Sequence, residues 1–145
     1  MKGSYFLVIK LDGEKTVRTK GRSFRLKPGY YVYVGSAMNS LEKRVARHFR
    51  REKRLHWHID YLLQKAELLR AYLIPSDVKL EEELSHEVSK FGEPVPGFGA
   101  GDVKVSTNLY RFEDEPDEVL RGILEGLGLG WKIVKSEDDI GKTRW

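Results

Sequence analysis

Two apolar runs constrain this chain more than any other feature. Tyr5-Phe6-Leu7-Val8-Ile9 and Tyr30-Tyr31-Val32-Tyr33-Val34 are almost wholly aromatic, β-branched or aliphatic, and the second stops at Gly35. Runs of this kind form strands, and the first reads as the buried central strand of a sheet. Alternation puts Tyr31 and Tyr33 on one face of the second strand and Tyr30, Val32 and Val34 on the other. Between the two runs, Asp12-Gly13, Lys20-Gly21 and Lys27-Pro28-Gly29 are turn signals, and Val17 and Phe24-Arg25-Leu26 mark two short strands. The first third of the chain is therefore expected to be an antiparallel meander.

The pattern then changes. Leu41, Val45, His48 and Phe49 share one face of a helix that Asn39 or Ser40 can cap. Trp57 to Leu63 reads as a second short helix, with a strand as the alternative, and Leu68 to Ile74 as a strand closed by Pro75. Ser76 or Asp77 is expected to cap a helix whose inner face is Leu80, Leu84, Val88 and Phe91. Pro94 to Asp102 is a turn-rich loop, and Asn108 to Phe112 a late strand. Asp114 and Pro116 open a last helix with Val119, Leu120, Ile123, Leu124 and Leu127 inward, and Trp131 to Lys135 suits an edge strand. The order predicts an α+β fold, a small antiparallel or mixed sheet flanked by helices. One domain is expected over 1–145, with its core at about 3–112 and a C-terminal helix and tail at 113–145.

Composition narrows the function classes. Forty per cent hydrophobic residues suffice for one packed core, and the lack of cysteine removes disulfides and thiolate metal sites. No run of about eighteen apolar residues is present, so no membrane span is expected. The start, Met1-Lys2-Gly3-Ser4-Tyr5, lacks a signal-peptide pattern, so a soluble, cytoplasmic protein is expected. Gly97-Phe98-Gly99-Ala100-Gly101 follows a proline loop rather than a strand, which argues against a dinucleotide cofactor. The net charge of +4 conceals an asymmetry: residues 1–70 carry 17 basic and 6 acidic residues, and residues 71–145 carry 9 and 16. The basic half also holds the tyrosine strands, and such a field concentrates polyanions.

Four groups of residues could carry chemistry. Seven of the twelve residues from Lys43 to Arg54 are Lys or Arg, with Glu52 the single acid among them. Guanidinium forks suit phosphate oxygens, so Arg44, Arg47, Arg50, Arg51, Lys53 and Arg54 are candidates for nucleic-acid contact. Arg44 and His48 are four apart and share a helix face. Tyr5, Tyr31 and Tyr33 sit on apolar strands; a phenol is a weak base unless an arginine or a divalent cation lowers its pKa. Glu81-Glu82-Glu83 complements a helix N-terminus, and one of these carboxylates could also hold Mg²⁺, which keeps most of its waters. In His56-Trp57-His58-Ile59-Asp60, the two imidazoles and the carboxylate could bind a metal, contact phosphate or serve as structural hydrogen-bond partners.

In this order the parts resemble the GIY-YIG nuclease superfamily. Gly3-Ser4-Tyr5 resembles its first tripeptide, Tyr33-Val34-Gly35 its second, and Arg44 the arginine of its first helix. Glu81-Glu82-Glu83-Leu84 resembles the later helix whose glutamate binds metal, and Asn108 an asparagine found late in some members. Closer still is a small archaeal and bacterial branch with Tyr-Val-Gly-Ser-Ala, Leu-x-x-Arg-x-x-Arg-His, His-Trp-His-Ile-Asp-Tyr-Leu and Phe-Gly-x-x-Asp. Here these are Tyr33 to Ala37, Leu41 to His48, His56 to Leu62, and Phe98 to Asp102. Ser36 stands where the repair nucleases carry lysine, and Val103, Val105, Thr107 and Asn108 replace the branch's cysteines and Ser-His pair.

The resemblance implies metal-dependent cleavage of DNA phosphodiesters, at branched or damaged structures, with DNA as partner. Tyr33, helped by Tyr5, would activate water, Arg44 would stabilise charge on the phosphate, and His48 would orient it. Glu81 would hold one Mg²⁺ or Mn²⁺. His56 and His58 are branch-specific candidates for the same pocket or for nucleic-acid contact. The alternative is a nucleic-acid-binding module of nuclease ancestry that does not cleave. A third reading is a protein-interaction domain with Trp131 and Trp145 in an adhesive surface.

Overall fold

A computed structural model describes residues 1–99 and 107–145. The long strand β1 (Gly3–Leu11) runs through the centre of the molecule. It pairs antiparallel with β4 (Gly29–Ala37) on one side and β5 (Glu67–Pro75) on the other. Two short strands, β6 (Glu93–Pro94) and β7 (Leu109–Phe112), extend the β4 side, and β8 (Lys132–Val134) forms the edge beside β5. The six strands run in the order β6-β7-β4-β1-β5-β8, all neighbours antiparallel. The fold is α+β, as the strand and helix patterns imply.

The meander is the main correction. β2 (Lys15–Thr19) and β3 (Arg22–Leu26) pair only with each other, and β4 returns past them to lie against β1. The hairpin buries Val17, Phe24 and Leu26 and exposes the residues between them. One apolar side is enough to dock it on a face of the sheet rather than at its edge.

The sheet is covered on both faces. On one, Tyr5, Leu7, Ile9, Tyr31 and Tyr33 pack against the hairpin, helix α1 (Leu41–Phe49) and helix α2 (His58–Leu63). On the other, Phe6, Val8, Val32, Val34, Tyr72 and Ile74 pack against α3 (Glu81–Ser89) and α4 (Asp117–Gly126). The predicted alternation of Tyr31 and Tyr33 against Val32 and Val34 is present.

Helix ends differ from expectation where local bonding competes. Ser40 caps α1 by accepting from Lys43 N at 3.2 Å. Ser76 does not cap α3; its hydroxyl is engaged with Val78, and the helix begins later, with Leu80 at the N-cap. Phe91 and Leu127 lie beyond the ends of α3 and α4 and are exposed instead of inward. A further helix, α5 (Glu137–Lys142), follows β8, with Ser136 as its cap. It has only Ile140 to bury, so apolar periodicity does not announce it. No helix among the described residues is long and apolar enough to cross a membrane.

Candidate active site

The site lies at the end of the sheet where β1 begins and β4 finishes. Tyr5 and Gly35 are partners in the β1–β4 register. The Tyr5 ring crosses the strand at that point, and a Cβ on Gly35 would collide with Cζ, Oη and Cε2 of Tyr5. Gly35 is thus needed for a close approach. The same sheet end receives α3 from the opposite face, because β5 finishes there at Pro75, opposite Gly3. Glu81, the first residue of α3, therefore reaches a cavity otherwise lined from β1, β4, α1 and the segment that enters α2.

That cavity has a volume of about 300 Å³. Its wall includes Tyr5, Tyr33, Arg44, His48 and Glu81, the five residues proposed from sequence as catalytic or metal-binding. His56, His58 and Trp57 border it as well, with Gly35, Ser36 and Gly99. Tyr5 Oη lies 2.8 Å from Nε2 of His48. His48 is almost wholly buried, and its Nδ1 has no hydrogen-bond partner among the described residues. Burial, reinforced by the Lys53, Arg47 and Arg44 charges, depresses its pKa to about 3, so the ring is neutral at neutral pH.

The phenols move the other way. Burial raises the pKa of Tyr5, with Arg44 opposing and Glu81 assisting. Burial also raises Tyr33 well above its ordinary value, helped by Tyr5 and Glu81. Both rings therefore carry their protons at neutral pH in the absence of added cations. Tyr31, on the same face, lies apart from the cavity. Its hydroxyl donates to Lys27 O at 2.6 Å, and burial pushes its pKa up to about 12.

The two arginines of α1 have different surroundings. Arg44 donates to the Ser36 carbonyl at 3.2 Å and stands 4.5 Å from the Trp57 ring centroid, with no carboxylate in ion-pair reach among the described residues. Its guanidinium keeps donors for an anion in the cavity. Arg47 stands 4.6 Å from the same ring but forks onto the fully buried carboxylate of Asp60 at 2.8 and 2.9 Å. Burial alone would raise Asp60, but Arg47 and the amides of Trp57 and His56 outweigh it and hold the carboxyl below its ordinary value. Asp60 thus braces Arg47 and the start of α2, a structural role for the carboxylate of the His-Trp-His-Ile-Asp motif.

Other members of the basic cluster also have intramolecular partners. Lys53 donates to the carbonyls of Arg47 and His48 at 3.0 and 2.9 Å, closing the C-terminal end of α1. Its partial burial lowers its pKa to about 8. Arg50 pairs with Glu137 of α5 at 2.9 Å. Arg51 and Arg54 are exposed and make no ion pair among the described residues, so they keep the phosphate-binding capacity predicted for the cluster. His56 is exposed, edge-on to Trp57 at 5.0 Å. His58 is half-buried between Phe24 at 5.5 Å and Phe98 at 5.7 Å, and burial, with Arg22 nearby, lowers its pKa.

Glu82 and Glu83 are exposed, so Glu81 is the carboxylate of that trio at the cavity. Among the described residues no group of three or more His, Asp or Glu forms a metal cage. Asn108 is buried outside the cavity wall, donating from Nδ2 to Val34 O at 2.8 Å and so pinning the end of β4. Asp102, Val103 and Val105 lie outside the described residues. Trp57, absent from the sequence-derived candidates, is the residue sequence reasoning missed; its place between two imidazoles was the available signal.

No curated protein and no solved structure matches the chain. The family model described as "Domain of unknown function DUF123" matches residues 4–129, and the chain belongs to that family.

Proposed function

We propose that the protein hydrolyses DNA phosphodiesters with the help of one divalent ion, as a GIY-YIG-type endonuclease acting on branched or damaged DNA. One observation carries this reading. Tyr5 and Tyr33 from two strands, Arg44 and His48 from one helix and Glu81 from a helix on the far face line a single cavity. Together they offer an anion site, proton-bearing groups and a carboxylate.

Arg44 binds the scissile phosphate and stabilises charge that develops on it. Neutral His48 exchanges a proton with the Tyr5 hydroxyl across the 2.8 Å between them. With a bound cation offsetting its burial, the Tyr33 hydroxyl would lose its own proton to solvent, and the resulting phenolate would take the proton of the attacking water. The residues fit Mg²⁺ or Mn²⁺ better than Zn²⁺: Glu81 is the single carboxylate of the cavity wall, which suits an ion that keeps most of its waters. Bound at Glu81 and the substrate, such an ion would supply Lewis-acid stabilisation of the leaving oxygen.

The raised phenol pKa values favour a second reading, binding without cleavage, because neither phenol is a base in this cavity unless cations offset its burial. Incubation with nicked, flap and four-way-junction DNA separates the two. Cut products are expected with Mg²⁺ or Mn²⁺, none in a chelator, and a loss of at least about a hundredfold in Arg44→Ala and Glu81→Gln. Intact substrates with both metals would overturn the hydrolytic reading.

A further inference from the structure

We propose that the β2–β3 hairpin is a duplex-gripping arm that holds the DNA backbone beside the cavity, so that the substrate is double-stranded next to the bond to be cut. The inference rests on the nuclease reading for its substrate and on separate residues for its argument. Residues 15–27 include Lys15, Arg18, Lys20, Arg22, Arg25 and Lys27 and no acid. Arg25 pairs with Glu14 and Lys27 reaches Glu93, but Lys15, Arg18, Lys20 and Arg22 have no ion-pair partner among the described residues. All four side chains are exposed.

The shape suits the charge. The hairpin is a two-stranded ribbon docked by one side, paired with no other strand among the described residues, with Arg18, Lys20 and Arg22 around its turn. A two-stranded ribbon is one of the few elements that enters the major groove, and cations along it meet phosphates on either side. The hairpin is also fixed relative to the cavity. Phe24 packs edge-on to His58, a cavity residue, and to Phe98, at 5.5 and 4.9 Å. The Arg22 guanidinium lies 5.3 Å from the Phe24 ring centroid and directly over Gly97, where any Cβ would collide with it. Arg22 thus stands beside the cavity residue His58 as a guanidinium with no ion-pair partner among the described residues. With Arg44 at the scissile phosphate, Arg22 takes a neighbouring phosphate and Arg18 and Lys20 take those beyond it.

The test compares wild type, Arg22→Ala and Arg18→Ala/Lys20→Ala for binding to a short nicked duplex and to a single strand of equal length, across a potassium chloride series. Removing one cation from a phosphate reduces the steepness of log K against log salt by about 1, so slopes shallower by about 1 and about 2 are expected on the duplex. The single strand is expected to change less. The double variant alters only exposed residues, so it guards against misfolding of Arg22→Ala. Unchanged duplex slopes in both variants would overturn the proposal, and equal changes on single strands would overturn its duplex specificity. Cleavage with unchanged slopes sinks the arm and spares the nuclease reading; altered slopes without any cleavage sink the nuclease reading and spare the arm.

Discussion

The two faces of the central sheet have the same strands and opposite polar chemistry. On the α3–α4 face, buried polar groups find one another: the Ser85 and Tyr110 hydroxyls lie 2.7 Å apart, Ser85 donates to Thr107 O, and Tyr72 donates to Asp117, which Arg70 also binds. On the α1–α2 face, His48 Nδ1 lacks a hydrogen-bond partner and Arg44 lacks an ion-pair partner among the described residues, while phenols are pushed up by burial on both faces. Native interiors satisfy most buried polar groups, so open capacity of this kind is what singles out the α1–α2 face as the candidate site. The comparison teaches that the core alone does not mark the site; incomplete polar pairing does.

The largest effect should come from breaking the buried ion pair on the open face. Arg47→Ala leaves the buried Asp60 carboxylate without its counter-charge, held only by the His56 and Trp57 amides, and a loss of about 3–5 kcal/mol is expected in denaturant unfolding. A loss under about 1 kcal/mol would mean the pair is no brace for this face. On the closed face, Leu124→Ala should cost about 2–5 kcal/mol, while the histidine titrations seen by NMR stay put. Movement of the His48 signals would show that the faces are not independent.

Gly35→Ala sharpens the contrast at the sheet end. The added methyl displaces the Tyr5 ring, so we expect about 1–3 kcal/mol of destabilisation and a changed His48 environment. A further effect is graded by pH. His48 has a folded pKa near 3 against 6.5 when unfolded, so its contribution is fully present above pH 6.5. It is lost as pH falls towards 3, at up to about 1.4 kcal/mol per pH unit, because the unfolded chain takes the proton first. His48→Gln should flatten that part of the stability profile; an unaltered slope would place the acid sensitivity elsewhere.

Much of the site was legible in local pattern. Period-two alternation separated Tyr31 and Tyr33 from Val32 and Val34, and helical spacing put Arg44 and His48 on one face. What stayed hidden depended on the meeting of distant segments. Arg44 and Arg47 look alike in a charge run, and only the approach of α2 assigns Asp60 to one of them. Local pattern likewise cannot tell a hairpin within a sheet from one lying upon it, since Val17, Phe24 and Leu26 point inward either way. Exposed Phe91 and Leu127 continue a helical period past the residue where the helix ends.

Glu81 belongs to the layer that packs on one side of the sheet, yet its carboxylate completes a cavity on the other. Neither layer holds the full set of groups by itself. A partly folded chain, with only one side assembled, would carry an arginine without its acid or an acid without its arginine. The chemistry proposed for this cavity would therefore be an all-or-nothing report on whether both layers have formed.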